Sequence, residues 1–351
     1  MPINYEPING QTDVATTRTL LHEVIPLTGT IVSGTYGTFP NDDNIKNYSH
    51  GMFQSVYDYP YLSSSANYIF DLSVGYDESS GYSGSASRVQ QRKKINMYNQ
   101  MSQVLLGYTG STNTVRKFES DLTLDGSNAM NEVFFVNFSR LISKDQVKKG
   151  SVSVTLLTGA YSAGTASGGT ITYSDSNASD TGGTLNTVGG DYGVLLDKSV
   201  TPALTGGIVF YQAGIMVLTA SAFSSSVGLA SNFFENESVP AVITGSAISG
   251  ACDALRQRIQ NIQFNNTTEI NSTVYFCRAP HNKFNYSSNP TYLSSSSIRV
   301  KNNVRANPPI SYITTIGLYN SQNELLAVAK LSEPLRKDPT NELTLRVRLD
   351  Y

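Results

Sequence analysis

The residues able to do chemistry are few and far apart along the chain. The three histidines are His22, His50 and His281, and none lies in an H-E-x-x-H or H-x-H arrangement. Those spacings are the ones that let two imidazoles hold one zinc ion. Cys277 and His281 are four residues apart, where a strand is expected to run into a loop, so we interpret the pair as coincidence and not as a nucleophile with its base.

Paired carboxylates are the other chemistry to weigh, because glycoside hydrolases place two of them about 5–10 Å apart. The pairs available are Asp71 with Asp77 and Glu78, and Asp58 with Asp71. No nucleophile elbow, Walker A loop or dinucleotide-binding glycine motif accompanies them. There is no tryptophan to form a sugar platform, although 21 tyrosines can replace it. We therefore expect no enzyme, no catalytic residue, no cofactor and no metal site.

Composition excludes several classes of protein. Of the 351 residues, 39% are hydrophobic and 15% charged, against about 45% and about 25% in an average globular domain. An aromatic content of 10% argues against intrinsic disorder. A net charge of −2 provides no basic surface for nucleic acid. No apolar run of about 18 residues exists, so no membrane-spanning helix is expected.

The two cysteines do not indicate a disulfide framework. Cys252 and Cys277 form no C-x-x-C pair and are too few for a disulfide-stapled scaffold. We expect two reduced, buried thiols, made in a cytoplasm, and keep a bridge between them as the alternative.

The elements that must position any site are mostly strands. Continuous or alternating apolar runs indicate strands before and after a segment rich in glycine, serine and threonine. These strands lie at 132–138, 151–157, 170–173 and 270–278, with one or two more at 206–218, bent at Gly214. A dense aromatic cluster at 57–61 favours ring packing over a subunit interface, where tyrosine is also enriched.

Two segments have helical spacing. Residues 88–107 repeat apolar side chains at helical intervals and stop at a glycine, and Arg92, Lys93 and Lys94 are interpreted as a solvated face of that helix. Leu255, Ile259 and Ile262 lie at i, i+4 and i+7, which indicates a shorter helix near 251–262.

The C-terminal third predicts a meander of three strands. The first strand is 311–319 and the second is 324–331, joined by a turn at 320–323 that is rich in residues tolerant of left-handed backbone. A connection at 333–341 carries two prolines, and the last strand, 343–351, alternates strictly between apolar and basic or polar residues.

These patterns predict a mainly β protein with antiparallel, sandwich-like sheets, one or two packed helices and long Gly/Ser-rich loops. We expect an extended N-terminal arm at 1–20, a mixed β/α domain at 21–158, a Gly/Ser/Thr-rich loop or hairpin at 159–205 and a C-terminal β domain at 206–351. Pairing between strands on either side of 159–205 would dissolve that division. The arm and the loop at 159–190 are expected to contact other subunits.

The C-terminal residues resemble a motif shared by phage tail and tail-fibre attachment proteins. Residues 312–320 match its I-T-x-I-G-L-Y strand and turn, and residues 324–331 match its E-L-L-A-V-A strand. A proline-bearing link and a final basic-apolar strand complete the motif. Three further segments, 18–23, 47–58 and 284–292, are similar to virion structural proteins of large tailed phages of cyanobacteria and other marine bacteria.

The resemblance implies a non-enzymatic structural subunit of a phage virion, in the tail or baseplate. Alternatives are a neck or capsid-surface protein, and a receptor- or glycan-binding module of a tail fibre. The implied partners are copies of the chain and other virion proteins, with contact to the host surface left open. Nucleic acid and a membrane span are not expected. The chain would be made in the host bacterial cytoplasm and located in the virion.

Overall fold

A computed structural model describes residues 5–28, 43–83, 89–110, 113–159, 161–162, 165–166, 169–223, 248–286 and 304–351. The strands are β1 Val14–Thr28, β2 Ile45–Asn47, β3 Gln54–Tyr57, β4 Tyr68–Tyr76, β5 Glu132–Phe138, β6 Gln146–Val147, β7 Ser153–Leu157, β8 Tyr161–Ser162, β9 Thr165–Ala166, β10 Thr170–Ser174, β11 Leu185–Thr187, β12 Gly190–Asp197, β13 Leu204–Phe210, β14 Ile215–Thr219, β15 Ile259–Ala279, β16 Ser311–Tyr319, β17 Leu325–Lys337 and β18 Leu343–Asp350. The helices are α1 Val89–Leu105, α2 Arg140–Ser143 and α3 Ile248–Arg258, with a 3-10 turn at Ala220–Phe223. The expected mainly β class is confirmed.

The chain divides into two compact units. Unit 1 comprises Met1–Leu20 and Glu269–Tyr351, and unit 2 comprises Leu21–Thr268. This division differs from the expected one at 159–205, because that segment is not a separate loop or hairpin: it contributes β10 and β12, which connect β7 to β13 in one sheet. β7 pairs with β10, β10 with β12, and β12 with β13, all antiparallel. In the described part of the expected arm, residues 14–20 form the first half of β1.

Unit 2 is a sandwich-like sheet that is buried on both faces. From the first half of β15 its strands follow the order β15-β7-β10-β12-β13-β14-β5-β4-β3-β2. Alternate residues of β5 enter different cores: Phe134 packs in the larger one and Phe135 in the smaller. The rings of Phe138 in β5 and Phe264 in β15 lie 4.8 Å apart although five strands separate β5 from β15. The sheet therefore curls so that its two halves face each other across the larger core.

The predicted central strands are confirmed. β5, β7 and β10 lie where apolar runs placed them, and 206–218 forms two strands joined by a turn. Gly214 ends that turn with φ 67°, a conformation that favours glycine. Gly206 is required for a steric reason, because a Cβ there would lie 2.4 Å from the Tyr173 ring.

Helix α1 confirms the prediction at 88–107 but corrects its polar face. Lys94 is 1% exposed and packs on the buried side, whereas Arg92 is exposed. Lys94 precedes Met97 and Tyr98 by three and four residues, the spacing that places all three on one helix face. A Cβ at Gly75 of β4 would lie 3.0 Å from the Lys94 carbonyl oxygen, so the helix backbone lies directly on β4.

The second predicted helix ends earlier than its pattern indicated. Helix α3 stops at Arg258, and Ile259 and Ile262 belong to β15, so their assignment to a helix was wrong. Both isoleucines are buried in the larger core. The pairing with β7 shifts register between Ile259 and Asn261, and this bulge places two residues of odd spacing on the same face. A bulged strand thus imitated helical periodicity.

Unit 1 contains the C-terminal strands, but not as a meander. β16 and β17 form a separate two-stranded sheet, whereas β18 pairs with the second half of β15. The expected connection at 333–341 was wrong in its first residues, because β17 continues to Lys337. Thr315 pairs with Lys330 and Ile313 with Leu335, so residues 331–334 bulge out of the ladder. Pro334, which has no N–H to donate, lies in that bulge.

Candidate assembly surface

The two units differ most in how they bury apolar side chains. Within the described residues, 49 hydrophobic residues are buried, and all but four of them belong to unit 2. The four in unit 1 are Val274, Ala279, Leu318 and Val347. Both hydrophobic cores are formed by unit 2 residues. Unit 1 is therefore held by strand pairing and polar contacts more than by a core of its own.

The β16–β17 hairpin carries a group of exposed apolar residues. In the register of the hairpin, Leu318 pairs with Ala327 on the more buried face, and Gly317 pairs with Val328 on the open face. Apolar residues gather on the open face near the turn, and the Tyr5 ring lies 5.0 Å from the Tyr319 ring. We call this the hairpin-tip patch, and its members with their exposed fractions are Tyr5 (38%), Tyr319 (45%), Leu325 (51%), Leu326 (68%) and Val328 (52%).

The turn that presents the patch is fixed by asparagine side chains, as the sequence predicts for 320–323. The Asn320 carboxamide oxygen accepts hydrogen bonds from the backbone N–H groups of Gln322 and Glu324, both at 2.9 Å. Asn323 adopts the left-handed conformation with φ 64°. The Glu324 carboxylate accepts from the Asn320 amide at 2.7 Å. These bonds fix the conformation of the turn.

Ion pairs and a buried lysine stabilise the base of unit 1. The Lys337 ammonium is fully buried and donates to the Asn285 carboxamide at 2.6 Å and to the Asp338 carbonyl at 2.9 Å. Desolvation lowers the pKa of Lys337. Arg278 lies 2.8 Å from the Asp13 carboxylate, which also accepts from the Asn9 backbone N–H. The Asn9 hydrogen bond, followed by smaller contributions that include Arg278, lowers the pKa of Asp13.

The three histidines have structural neighbours and do not form a common site. The His22 Nδ1 atom lies 3.1 Å from the Thr267 hydroxyl. The His50 Nδ1 atom accepts from the Met52 backbone N–H at 3.0 Å. His281 contributes only its backbone carbonyl to the described hydrogen bonds. Over the ranges that the structure describes, no group of three or more histidine, cysteine, aspartate or glutamate side chains has metal-binding geometry.

The candidate carboxylates bind separate partners. Asp58 accepts from the Asn67 backbone and side chain at 2.7 and 2.8 Å, and Asp77 pairs with Lys117 at 2.8 Å. Asp71 accepts from the Ser55 hydroxyl at 2.5 Å, and desolvation raises the pKa of Asp71. Asp58, Asp71 and Asp77 therefore each have a local structural role.

Both cysteines are free thiols, as expected from the sequence, but only Cys252 is buried and Cys277 is half-buried, so the expected burial of Cys277 was wrong. Cys252 is fully buried and donates to the Leu72 carbonyl at 3.4 Å. Burial raises the pKa of Cys252, and desolvation also raises the pKa of Cys277. Raised values keep both sulfurs in the protonated, weakly nucleophilic form at neutral pH.

The aromatic cluster at 57–61 splits into packed and exposed rings. Tyr57 lies 6.3 Å from the Tyr61 ring and 6.1 Å from the Tyr68 ring, which is the ring packing that the sequence favours. Tyr59 is 41% exposed. Nearby, the Tyr48 and His50 rings stack at 5.0 Å with an interplanar angle of 11°. These rings form an aromatic surface beside β2 and β3.

One concave feature of the described surface lies in unit 1. A shallow, open depression of about 190 Å³ in unit 1 is lined by Thr16, Thr17, Arg18, Asn271, Ser272 and Tyr351. Pockets for drug-sized ligands are larger, at about 300–1,000 Å³, and mostly apolar. The hairpin-tip patch, a convex apolar surface, is therefore the stronger candidate for function.

Comparisons with known proteins supply no relative for this chain. No protein-family model, curated protein or solved structure matches it. The helices within the described ranges are too short or too polar to cross a membrane.

One signal for the hairpin-tip patch is visible in the sequence itself. Residues 325–329 are all apolar, and a continuous apolar run is typical of a strand buried on both faces. In the single chain this strand instead leaves Leu325, Leu326 and Val328 more than half exposed. The run therefore marks an exposed apolar surface of unit 1.

Proposed function

We propose that this protein is a non-enzymatic structural subunit of a phage virion, placed in the tail or baseplate, and that it assembles through unit 1. The observation that carries the assembly role is the hairpin-tip patch on a unit that buries only four hydrophobic residues within its described part. The proposed placement in a virion, and within it in the tail or baseplate, is based on the resemblance of residues 312–331 to phage attachment motifs. A neck or capsid-surface position is the alternative within the virion.

Burial of the hairpin by a partner would be energetically favourable. A two-stranded hairpin is marginally stable by itself in water. Fully burying one leucine or valine side chain contributes about 1.5–3 kcal/mol, and contiguous exposed apolar residues on soluble proteins mark interaction sites. Burial of the patch by a neighbouring subunit would stabilise both the hairpin and the assembly.

A second candidate function, from another class, is a receptor- or glycan-binding module. The observation that favours it is the aromatic surface around Tyr48, His50 and Tyr59, because exposed aromatic rings stack on sugars. It predicts direct binding of the purified chain to host cell-surface polysaccharide, and loss of that binding in the Tyr59→Ala variant. The assembly role predicts no change in incorporation for the same variant.

Incorporation into particles tests the assembly role. We expect Leu326→Asp to reduce the number of copies of this chain per purified virion at least tenfold, because a carboxylate at the centre of the patch must be desolvated on docking. Thr314→Asp, an exposed substitution on the same hairpin outside the patch, is the matched control and should incorporate normally. Quantitative mass spectrometry of purified particles gives the copy number. Normal incorporation of Leu326→Asp contradicts the assembly role.

A further inference from the structure

A second exposed apolar patch lies on unit 2, at the end of helix α1. Its members are Val104, Tyr108 and Val188, with exposed fractions of 65%, 53% and 75%. A Cβ at Gly107 would lie 3.0 Å from a methyl group of Val188, and the Gly189 backbone N–H donates to the Leu105 carbonyl at 2.9 Å. The turn that carries Val188 is therefore packed on the helix end. We call these three residues the helix-end patch.

The loop beside the helix-end patch is acidic. Arg116 donates to the carbonyls of Tyr108 and Leu124 at 3.1 and 3.2 Å, which ties the patch to the loop at 119–128. That loop contains Glu119, which is buried, and Asp121 and Asp125, which are not. Arg116 donates its hydrogen bonds to backbone carbonyls, so it forms no described ion pair with these carboxylates.

The charges of the two units have opposite signs. Unit 1 contains 11 lysine and arginine residues and 8 aspartate and glutamate residues, so its formal net charge is +3. Unit 2 contains 14 and 19, so its formal net charge is −5. Lys330 is exposed on the same hairpin face as Val328, and Glu324 at the tip is the acidic exception there. The two units therefore carry formal net charges of opposite sign, which favours contact between unit 1 of one copy and unit 2 of another over contact between two copies of unit 1.

We infer that the hairpin-tip patch of one copy docks on the helix-end patch of a second copy of this chain. This inference rests on the proposed assembly role and names its partner. Apolar residues meet at the centre, and Lys330 of one copy approaches the loop at 119–128 of the other. Because the two surfaces differ, the contact is heterologous and repeats from copy to copy, closing into a ring when the rotation between copies allows it.

Mixing two assembly-defective variants tests this arrangement. The variants are Leu326→Asp, which alters only the hairpin-tip patch, and Val104→Asp, which alters only the helix-end patch. Each alone is expected to stay monomeric where the wild type self-associates. In an equimolar mixture, the intact Val104 of one variant receives the intact Leu326 of the other, so dimers form and growth stops there. Analytical ultracentrifugation at low ionic strength measures the masses, and added salt should weaken wild-type association because surface charges are screened.

Controls separate the possible failures. Leu141→Asp, at an exposed apolar position of α2, should associate like the wild type, and Val104→Ser removes the apolar side chain without adding charge. If Val104→Asp and Val104→Ser associate normally while Leu326→Asp is excluded from virions, the partner is a different surface or protein and only this inference fails. If the wild type stays monomeric at every soluble concentration, the inference also fails. If Leu326→Asp incorporates normally into virions, the proposed assembly role fails with it.

Discussion

Unit 2 and unit 1 are stabilised in different ways. Unit 2 buries apolar residues on both faces of one curled sheet, with Phe134 and Phe135 in separate cores. Unit 1 pairs strands and fixes its turns with polar contacts, yet it leaves Leu326 and Val328 in water. A low overall content of hydrophobic residues therefore need not lower the stability of every part of a protein equally. Here it is unit 1 that has few buried apolar side chains, and we expect neighbouring subunits to complete this unit.

The largest effect is expected from truncating a core side chain of unit 2. Phe135 is 1% exposed and lies 5.7 Å from the Phe118 ring. Phe135→Ala should lower the free energy of unfolding by about 3–5 kcal/mol, because a cavity replaces the ring. Urea denaturation measures the change. A loss as small as that of an exposed substitution would show that unit 2 does not depend on its double core, and the comparison would fail.

A smaller effect is expected from a buried carboxylate that joins three segments of unit 2. Asp175 is fully buried and accepts from the backbone N–H groups of Gly150 and Val152, both at 2.8 Å, and from the Tyr211 hydroxyl at 2.9 Å. Asp175→Ala leaves these donors without an acceptor and should lower the free energy of unfolding by about 1–3 kcal/mol. Tyr211→Phe, which removes one donor, should cost less. Equal losses in the two variants contradict this account.

A pH-dependent effect is expected in unit 1. The hydrogen bond from Asn9, together with Arg278, lowers the pKa of Asp13. A carboxylate whose pKa is lower in the folded state stabilises that state above its unfolded pKa, and the contribution is lost as pH falls through the folded value. Asp13→Asn should therefore speed amide exchange in β15 and β18 at neutral pH and make no difference in acid. Hydrogen exchange of both proteins at matched pH measures this, and a difference that persists in acid would refute the assignment.

The smallest effect is expected at the hairpin-tip patch in the free chain. Leu326 is 68% exposed, so Leu326→Ala should change the free energy of unfolding by no more than about 0.5 kcal/mol. The same substitution should weaken incorporation into particles. A large loss of stability in the free chain would mean that the hairpin is packed by the chain itself.

The sequence predicted the elements whose patterns were regular and missed those shaped by irregular pairing. Helix α1 and strand β5 had uninterrupted periodicity, and both were located correctly. The spacing of Ile259 and Ile262 wrongly predicted a helix, because a bulge in β15 places both residues on one face of the strand at helical spacing. For the same reason, the sequence pattern did not predict that β17 continues beyond the bulge at 331–334. Bulges depend on the partner strand, which a local pattern does not contain.

The candidate site was only partly predictable for a similar reason. The apolar run at 325–329 was visible in the sequence, but whether it is covered depends on which strands pair. β18 pairs with β15 and leaves the hairpin as a separate two-stranded sheet. The helix-end patch joins α1 to the turn around Val188, a contact between segments about 80 residues apart that no local pattern contains.

Hydrogen exchange of the free chain and of assembled particles tests the central claim most directly. We predict that amides of β16 and β17 exchange quickly in the free chain and become strongly protected on assembly. Amides in the double core of unit 2, such as those of β5 and β14, should be protected equally in both states. Protection of β16 and β17 that is already complete in the free chain, or that does not change on assembly, would contradict the claim that unit 1 is completed by its neighbours.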